Sequence, residues 1–388
     1  MAAEANGSNR IEMQAICKYF TGVKALDNVS LTAQSGYVYA IVGENGAGKS
    51  TLLKIMNGDY TMSTPILEVK GLKTVFHTEA GTVHAVDGLD FTLHENETLA
   101  IVGESGCGKS VASLSILRLI ATPPGEIVSG QILYKGQDLL KLTKKEMVAL
   151  RGNEISMIFQ EPMTSLNPVF TIGHQLMDPF IFHRKCKKEE AAKLALEMLK
   201  KVGIPSPENV MHYYPHQLSG GMRQRVMIAM ALACEPSILI ADEPTTALDV
   251  TIQAQILELI ANLKDKENTS VILITHDLGI MAQIAQNIMV MYAGQCIEYA
   301  PTKALFENPL HPYTRGLLKS IPNVSQKVDM LYSIKGTVPD SISYPPGCRF
   351  CDRCEENAPA CRECEQALLE VEAGHWVRCC KVQKENKA

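Results

Sequence analysis

The residues with the clearest chemical pattern form a glycine-rich loop in the first third of the chain. An apolar run at residues 99–102 leads into Gly103-x-x-x-x-Gly108-Lys109-Ser110, and a helix-prone stretch follows. Glycines let such a loop turn its backbone N–H groups onto phosphate oxygens, and the N-terminus of the new helix adds partial positive charge. The lysine then reaches the β- and γ-phosphates, while the serine hydroxyl binds Mg²⁺. The pattern predicts a site for a nucleoside triphosphate rather than a strand–helix turn that binds nothing. The residues expected to contact the nucleotide here are Gly103, Ser105, Gly106, Cys107, Gly108, Lys109, Ser110 and Val111.

Two acids follow an apolar strand later in the chain. Residues 238–241 lead directly into Asp242 and Glu243, and another apolar strand, residues 270–274, ends just before His276. The carboxyl ends of parallel strands meet at one edge of a sheet, where α/β proteins bind ligands. Successive strand residues point in opposite directions. We therefore expect Asp242 to face Mg²⁺ and Glu243 to face the attacking water, the alternative being a solvated acid pair. A purely structural role is the alternative for His276.

Three other positions fit the same chemistry. Ser219-Gly220-Gly221 opens a predicted helix, which makes it a second helix N-terminus suited to anions. Gln160 ends the predicted strand 155–159. Phe76 precedes the glycine loop at a distance that would let it stack on adenine, although a core or loop phenylalanine is an equally simple interpretation.

Composition excludes several classes of protein. The 388 residues are 46% hydrophobic and 20% charged, which is ordinary for a well-cored globular protein. A net charge of −5 argues weakly against nucleic-acid binding. No apolar run is long enough to span a bilayer, and the polar N-terminus lacks the core of a signal peptide. We expect the protein to stay on the cytoplasmic side of the membrane.

The chain contains an internal repeat. Residues 41–50 nearly copy residues 101–110, and the similarity extends upstream, where residues 23–31 match residues 83–91. The first copy stops soon after its loop, so we interpret it as a truncated fragment; the alternative is an accessory nucleotide site. The predicted division is a partial duplicate at residues 1–64, a complete domain at 65–300 and a C-terminal extension at 301–388.

Cysteines are concentrated near the C-terminus. The chain has 12, of which seven lie between Cys348 and Cys380. Disulfides are rare in reducing compartments, so the cluster indicates metal binding.

The ordered set of motifs resembles the ATP-binding cassette (ABC) family across residues 65–300. The stretch from Gln160 to Pro168, the segment from His311 to Leu317 and the cysteine-rich tail further resemble the ATP-binding subunits of oligopeptide/dipeptide importers. The first copy, in residues 43–54 and in Gly58-Asp59-Tyr60, instead resembles sugar-importer ABC ATPases. The resemblance implies an α/β P-loop NTPase fold of ABC type, with a mixed-sheet core, a helical subdomain and a small cysteine-rich extension.

The resemblance also implies roles and partners. Gln160 would sense the γ-phosphate and Mg²⁺, Asp242 would support Mg²⁺, and Glu243 would polarise the water. His276 would stabilise the transition state, and Ser219 to Gly221 would cap a γ-phosphate held by a sister ATPase. The expected partners are two membrane permeases, a sister ATPase that makes a heterodimer, and indirectly an extracytoplasmic peptide-binding protein. No nucleic acid is expected. The protein would lie peripherally on the cytoplasmic face of the membrane.

In that family the tail holds an iron–sulfur cluster, and Cys348, Cys354, Cys361 and Cys379 match its ligands. The expected cofactors are therefore ATP, Mg²⁺ and a [4Fe-4S] cluster. This sequence adds Cys351, Cys364 and Cys380, so the ligand set stays open. Zinc and uncoordinated thiols are the competing interpretations.

Two rival functions belong to other classes. A soluble, non-transport ABC ATPase acting on ribosomes or nucleic acid would need two complete cassettes, whereas this chain has one. A pure interaction scaffold would tolerate degraded motifs, but the second copy has none. The sequence therefore predicts an ATPase that energises import of oligopeptides or dipeptides.

Overall fold

The computed structural model describes residues 10–20, 23–34, 38–42, 49, 52–53, 65–161, 165–245, 249–320, 332–363 and 365–385. The chain divides into two compact units. One comprises Met1–Thr64 and Glu370–His375, and the other comprises Pro65–Leu369 and Trp376–Ala388.

The strands and helices alternate along most of the larger unit. The strands are β1 Arg10–Phe20, β2 Val23–Gln34, β3 Pro65–Thr78, β4 Gly81–His94, β5 Thr98–Val102, β6 Gly125–Tyr134, β7 Gln137–Asp138, β8 Ile155–Ile158, β9 Ile238–Asp242, β10 Ser270–Ile274, β11 Asn287–Tyr292, β12 Gln295–Pro301, β13 Leu369–Glu372 and β14 His375–Val377. The α-helices are α1 Lys109–Ile116, α2 Lys144–Leu150, α3 Ile172–Phe182, α4 Lys188–Lys201, α5 Pro207–Val210, α6 Gly220–Leu232, α7 Val250–Glu267, α8 Leu278–Ile284, α9 Thr302–Glu307, α10 Pro312–Lys319, α11 Ala360–Glu363 and α12 Cys380–Glu385. Two 3₁₀ turns lie at Leu139–Lys141 and Pro215–Gln217.

A mixed sheet forms the centre of the larger unit. Its strands run in the order β12-β11-β5-β10-β9-β8, and β14 pairs with β12 through Trp376 and Val377. The pairs β11–β5, β5–β10, β10–β9 and β9–β8 are parallel, and β11–β12 is the antiparallel hairpin expected around Ala293 and Gly294. Every residue of β5, β9 and β10 is buried. Continuous apolar runs form such strands because the sheet is covered on both faces.

An antiparallel sheet, β4-β3-β6-β7, covers one side of this core. Its inner side chains share one hydrophobic cluster with the central strands and with α1. Within the cluster, the Thr74 and Ser115 hydroxyls are buried and hydrogen-bonded at 2.9 Å, which fixes β3 to α1.

A helical part follows β8. Helices α3, α4 and α6 pack together in a second hydrophobic cluster. Apolar residues recurring at helical spacing between 191 and 202 predict an amphipathic helix, and α4 confirms it: Ala191, Ala195, Met198 and Leu199 are buried, and Leu194 packs partly buried against the cluster. Because its apolar face is used in packing, α4 is a structural helix.

The C-terminal segment packs around a buried carboxylate. Glu298 on β12 accepts hydrogen bonds from the backbone N–H groups of Leu310 (2.7 Å) and His311 (2.9 Å), just before α10. His311 Nδ1 accepts from the Tyr313 N–H at 3.0 Å, and burial lowers the His311 pKa to about 4. The rings of Tyr313, Tyr292 and Phe350 then pack against one another in tilted and edge-to-face contacts. This aromatic cluster holds the start of the extension against the end of β11.

The smaller unit contains the antiparallel pair β1–β2. Its core centres on Leu52, against which Met13, Val29, Leu31 and Ile41 pack while partly buried. Residues 38–42 correspond in sequence to β5, but they lie outside any strand. Val42 is 90% exposed, whereas its counterpart Val102 is 2% exposed. Residues 43–48 and 50, which complete the first glycine loop, lie outside the described residues.

Several boundaries predicted from local patterns are wrong. Alternating side chains at 66–69 and 89–93 predict two short strands, but these residues belong to a long hairpin, β3–β4, with the insertion at residues 77–81 at its tip. The helix-prone stretch after the glycine loop predicts a helix at 111–120, but the observed helix ends at Ile116, because Arg118 adopts a left-handed φ of 51°.

The sequence also predicts a turn at 247–249. Of these residues the structure describes only Asp249, which caps α7 by accepting from the Ile252 N–H at 2.9 Å.

The turn from β5 into α1 depends on a close backbone approach. Gly108 has φ 102°, and a β-carbon there would collide with the Ala85 carbonyl oxygen. We expect Gly108→Ala to lower the free energy of unfolding by about 3 kcal/mol, since strain and overpacking each cost ~1–3 kcal/mol. Gly136, at φ 80° with open space around it, is the matched control and should cost about 1 kcal/mol when changed to Ala. Urea unfolding measures both, and equal losses would contradict the contact with Ala85.

Candidate active site

The phosphate-binding loop lies between β5 and α1 and is closely packed on one side. Gly103 has φ 152°, and a β-carbon there would collide with the Met291 carbonyl oxygen at the end of β11. The Cys107 carbonyl accepts from the Gly294 N–H at 3.0 Å, so the β11–β12 turn supports the loop. Ser105 and Gly106, by contrast, are exposed. The loop therefore has one face fixed to the fold and one face open to a ligand.

Lys109 is buried and folded over the loop. Its ammonium donates to the carbonyl oxygens of Gly103 (2.8 Å) and Glu104 (3.1 Å). Burial raises the pKa of the nearby Cys107 thiol, while the Lys109 charge opposes that shift. These two carbonyls hold the lysine against the loop, close to the N–H groups that would face a ligand.

Ser110 and Asp242 meet beside this lysine. Ser110 Oγ donates to Asp242 Oδ1 at 3.1 Å, which joins the first turn of α1 to the end of β9. Burial raises the Asp242 pKa, and the neighbouring Glu243 charge raises it further, against the Ser110 hydrogen bond and Lys109. A hydroxyl and a buried carboxylate are oxygen ligands of the kind Mg²⁺ prefers, and a cation would favour the ionised form of Asp242. This pair fits a Mg²⁺ ion.

Glu243 begins a strained turn after β9. Its φ is 44°, and its N–H donates to the Ile274 carbonyl at 2.9 Å. Its carboxylate accepts from Gln160 Nε2 at 2.9 Å. Left-handed backbone in a non-glycine residue is uncommon and often marks functional sites. The structure therefore brings Glu243 and Gln160 together near Asp242, as the carboxyl ends of adjacent strands β8 and β9 require.

His276 follows β10 at the same edge and is exposed. Asp277 behind it caps α8 by accepting from the Ile280 N–H at 3.2 Å. Phe76 is half-buried on β3, near Gly125, two residues beyond the Thr74 that contacts α1. Both residues lie on elements attached to the site, Phe76 on β3 and His276 just after β10.

The second glycine motif lies elsewhere. Ser219 caps α6 by accepting from the Met222 N–H at 3.3 Å and is exposed. Helix α6 belongs to the helical cluster, whereas α1 belongs to the cluster between the sheets. Gly221 lies against Ile252 of α7. Ser219, Gly220 and Gly221 thus form an exposed helix N-terminus on a different part of the same unit.

Three residues at the loop were missed by the sequence analysis. The Glu104 N–H donates to the Tyr313 hydroxyl at 2.9 Å, and the Glu104 carboxylate pairs with Arg353 at 2.8 Å. Both partners come from the C-terminal segment. Tyr313 belongs to the segment from His311 to Leu317 and Arg353 to the cysteine-rich tail, but neither motif predicts a contact with the loop, so only the fold could reveal these contacts.

Six cysteines converge at one small cavity. Its lining includes His311, Phe350 and, from the tail, Cys348, Cys351, Cys354, Cys361, Cys379 and Cys380. The Cys361 and Cys380 sulfurs are 3.2 Å apart. Burial, together with the neighbouring thiols, raises the Cys348 pKa to about 12. In the part of the chain that the structure describes, which omits Cys364, no three His, Cys, Asp or Glu residues are arranged as a formed metal site.

Among the residues that the structure describes, no helix is both long enough and apolar enough to cross a membrane.

Comparisons with known proteins identify the family of the chain. A family model described as "ABC transporter" matches residues 26–81 and 86–246, more than half of the chain. A second, "Oligopeptide/dipeptide transporter, C-terminal region", matches residues 297–361. A third, described as an AAA domain of a putative AbiEii toxin in a type IV toxin–antitoxin system, matches residues 213–282 within the same cassette.

Two relatives and one solved structure illustrate the similarity. The chain is 52% identical over 324 residues, 84% of this chain and 98% of the relative, to the oligopeptide transport ATP-binding protein AppD of Bacillus subtilis (strain 168). It is 52% identical over 314 residues, 81% of this chain and 94% of the relative, to the dipeptide transport ATP-binding protein DppD of the same organism. The dimeric ATP-binding cassette MJ0796, in a post-hydrolysis state bound to ADP and Pi, matches 61% of this chain and 98% of its own, with a TM-score of 0.55 and 28% identity. The predicted α/β P-loop fold with a mixed sheet and a helical part is confirmed, and the chain belongs to the ABC transporter family of ATP-binding proteins, whose ATP hydrolysis is coupled to transport.

Proposed function

We propose that this chain is the ATP-hydrolysing subunit that energises import of oligopeptides or dipeptides through a membrane transporter. The observation that carries the proposal is the meeting of Ser110, Asp242, Glu243 and Gln160 beside Lys109. The peptide substrate rests on the relatives named as oligopeptide and dipeptide transport proteins and on the matching C-terminal region.

In the proposed ATP complex, the loop supplies backbone N–H groups to the phosphates. The residues assigned to this cradle are Gly103, Ser105, Gly106, Cys107, Gly108 and Val111. Lys109 would exchange its carbonyl partners for the β- and γ-phosphates. Phe76 would stack on the adenine from β3.

Ser110, Asp242 and Gln160 would hold Mg²⁺, either directly or through water. When bound, the ion neutralises phosphate charge that develops during the reaction. The raised pKa of Asp242 is consistent with this assignment, because a carboxylate beside Glu243 is stabilised by a nearby cation.

Glu243 would orient the water that attacks the γ-phosphorus and accept its proton as the bond to ADP breaks. Gln160 is already hydrogen-bonded to that carboxylate at 2.9 Å. It would couple the presence of the γ-phosphate to the conformation of the segment after β8. His276, at the end of the adjacent strand, would donate to the γ-phosphate oxygens in the transition state. These are the proposed catalytic residues.

Ser219, Gly220 and Gly221 would act on the ATP of a sister cassette. The motif is exposed and belongs to the helical part rather than to the core around α1. A relative, MJ0796, forms a dimer with nucleotide products bound. We therefore propose a heterodimer with a paralogous ATPase, in which closure depends on ATP and reopening on hydrolysis.

A surface on the helical part suits a permease. Phe170, Ile181 and Phe182 are each more than 40% exposed and line one groove with Asp178 and Met230. Exposed apolar groups in one patch mark interaction sites. The groove lies after Gln160 in sequence, so nucleotide state and docking would be linked through residues 161–170. We propose two permeases as partners, an extracytoplasmic peptide-binding protein acting through them, and a peripheral position on the cytoplasmic face.

We expect Glu243→Gln to abolish peptide import while keeping ATP binding, because the charge that orients water is lost and the phosphate loop remains. The complex with its permeases would be reconstituted in vesicles, and uptake of a labelled tripeptide measured with ATP present. Steady-state ATPase should fall by ~10²–10⁴-fold. Glu235→Gln, on an exposed residue that pairs with Arg184, is the control. If the variant retains half the wild-type ATPase rate, the proposed role of Glu243 is wrong. If the complex shows peptide-independent ATPase without uptake, the proposed transport function is wrong.

We also propose that the tail holds a [4Fe-4S] cluster on Cys348, Cys354, Cys361 and Cys379. All four line one cavity, and after burial the Cys361 and Cys379 thiols are among the groups that raise the pKa of Cys348 and of Cys354. A metal would remove the unfavourable mutual charge of the thiolates, as Cys₄ clusters do. Zinc remains the alternative for the same ligands.

Anaerobically purified protein should be brown, with about four iron and four sulfide per chain on the Cys₄ precedent. Serine at any of the four proposed ligands should bleach it, whereas Cys186→Ser, in the helical part, should not. The iron and zinc contents and the visible spectrum show which metal is bound and whether each variant has lost it. Colourless protein containing zinc would refute the cluster.

The first 64 residues are proposed to be a truncated duplicate rather than a second catalytic site, with the complete domain at 65–300 and the extension at 301–388. The exposure of Val42 supports this, because its counterpart Val102 is buried within the central sheet. About fifty residues bury too little surface to be firmly stable alone.

Lys109→Ala should abolish ATPase, because its charge on the β- and γ-phosphates is not replaced. Lys49→Ala, the equivalent change in the first copy, should leave ATPase nearly unchanged, as should deletion of residues 1–63. Steady-state rates of the assembled complex compare the three. A loss with Lys49→Ala as large as that with Lys109→Ala would instead make the fragment part of a composite site.

A further inference from the structure

The C-terminal segment contacts the predicted phosphate-binding loop at Glu104. The Tyr313 hydroxyl, at the start of α10, accepts from the Glu104 N–H at 2.9 Å. Arg353, from the cysteine-rich stretch, donates to the Glu104 carboxylate at 2.8 Å. Two residues far apart in the extension therefore hold both the backbone and the side chain of one loop residue.

Arg353 is itself rigidly held. Its side chain is only 6% exposed, and it also donates to the Tyr292 hydroxyl (3.3 Å) and to the carbonyls of Lys335 (2.9 Å) and Ile334 (3.3 Å). A guanidinium satisfied by fixed acceptors has little freedom, so the position of its ion-pair partner is fixed too. Tyr313 is fully buried among the aromatic rings of Tyr292 and Phe350.

Glu104 occupies a sensitive place in the loop. It directly follows Gly103, and its carbonyl accepts from both the Cys107 N–H (3.2 Å) and Lys109 (3.1 Å). A shift of this peptide would move the lysine and the N–H groups that follow. Its carboxylate, if unpaired, would also place negative charge in a loop that must receive phosphates.

We propose that Arg353 and Tyr313 are positioning residues for nucleotide binding: they hold Glu104, shape the phosphate loop and neutralise its one acid. This inference rests on the proposed use of that loop for ATP. It makes the C-terminal extension part of the nucleotide site rather than an appendage, and it assigns the extension a direct influence on ATP affinity.

The test distinguishes the loss of the Arg353 charge beside Glu104 from a general loosening of the C-terminal extension. We expect Arg353→Met to raise the KM for ATP by about tenfold, the usual scale for a lost charge-assisted hydrogen bond, with kcat within twofold. The KM for ATP of Glu104→Gln should stay within threefold of the wild-type value. The double variant should return to within threefold of the wild type, because no unpaired carboxylate is left in the loop. Steady-state ATPase of the assembled complex measures all three.

Arg378→Met is the matched control. Arg378 also belongs to the extension and is partly buried, but its guanidinium donates to the carbonyls of Cys296 (2.9 Å) and Gln366 (2.6 Å) rather than to the loop. Its loss should lower the thermal unfolding midpoint while leaving the KM for ATP within twofold. An equal rise in KM for Arg378→Met would mean that any loosening of the extension has this effect, and it would overturn the proposal.

Two further results would also overturn it. One is an unchanged KM in Arg353→Met, and the other is a raised KM that Glu104→Gln fails to restore. If Arg353→Met does not fold, Tyr313→Phe decides: a KM rise of about threefold supports the proposal, and an unchanged KM refutes it. Lys109→Ala is run alongside. Were it to retain ATP binding, the loop itself would not be the nucleotide site, which is a separate failure of the proposed function.

Discussion

Strands β9, β10 and β5 can lie side by side only when both of their faces are covered, because each is mostly apolar and every one of its residues is buried. The antiparallel sheet and α1 cover one face, and the helices cover the other. Parallel pairing then brings all three carboxyl ends to one edge. At that edge the end of β9 lies beside the first turn of α1, where Ser110 donates a hydrogen bond to Asp242 at 3.1 Å. The chemistry of the site is thus a consequence of how the sheet is buried.

The two copies of the loop sequence show how much depends on that burial. Residues 41–42 and 101–102 are the same Ile-Val pair, followed by the same Gly-Glu. The second copy is a central strand, whereas the first, at residues 38–42, is extended without strand partners among the described residues. Val42 is exposed and Val102 is buried. Local propensity is equal in the two, so the neighbouring parallel strands decide which one becomes part of a sheet.

The spacing of the motifs correctly predicted that Lys109, Asp242 and Gln160 lie at one edge of the sheet. An apolar run that is visible in the sequence marks the strand leading to each of them. The length of β3 and β4 was underestimated, since register shifts interrupt the alternation of their side chains. The contact of Tyr313 and Arg353 with Glu104 was not predictable. It joins residues more than 200 positions apart, and sequence patterns describe local periodicity rather than such long-range packing.

The buried ammonium of Lys109 explains why the loop needs outside support. A charge in this place costs free energy unless hydrogen-bonded, and the Gly103 and Glu104 carbonyls supply that compensation. In the proposed ATP complex, phosphates would take over the ammonium and both carbonyls would lose a donor. The Glu104 carbonyl still has the Cys107 N–H, and its residue stays fixed through Tyr313 and Arg353. The loop can therefore exchange the partners of its lysine without changing shape, which keeps the reorganisation cost of nucleotide binding low.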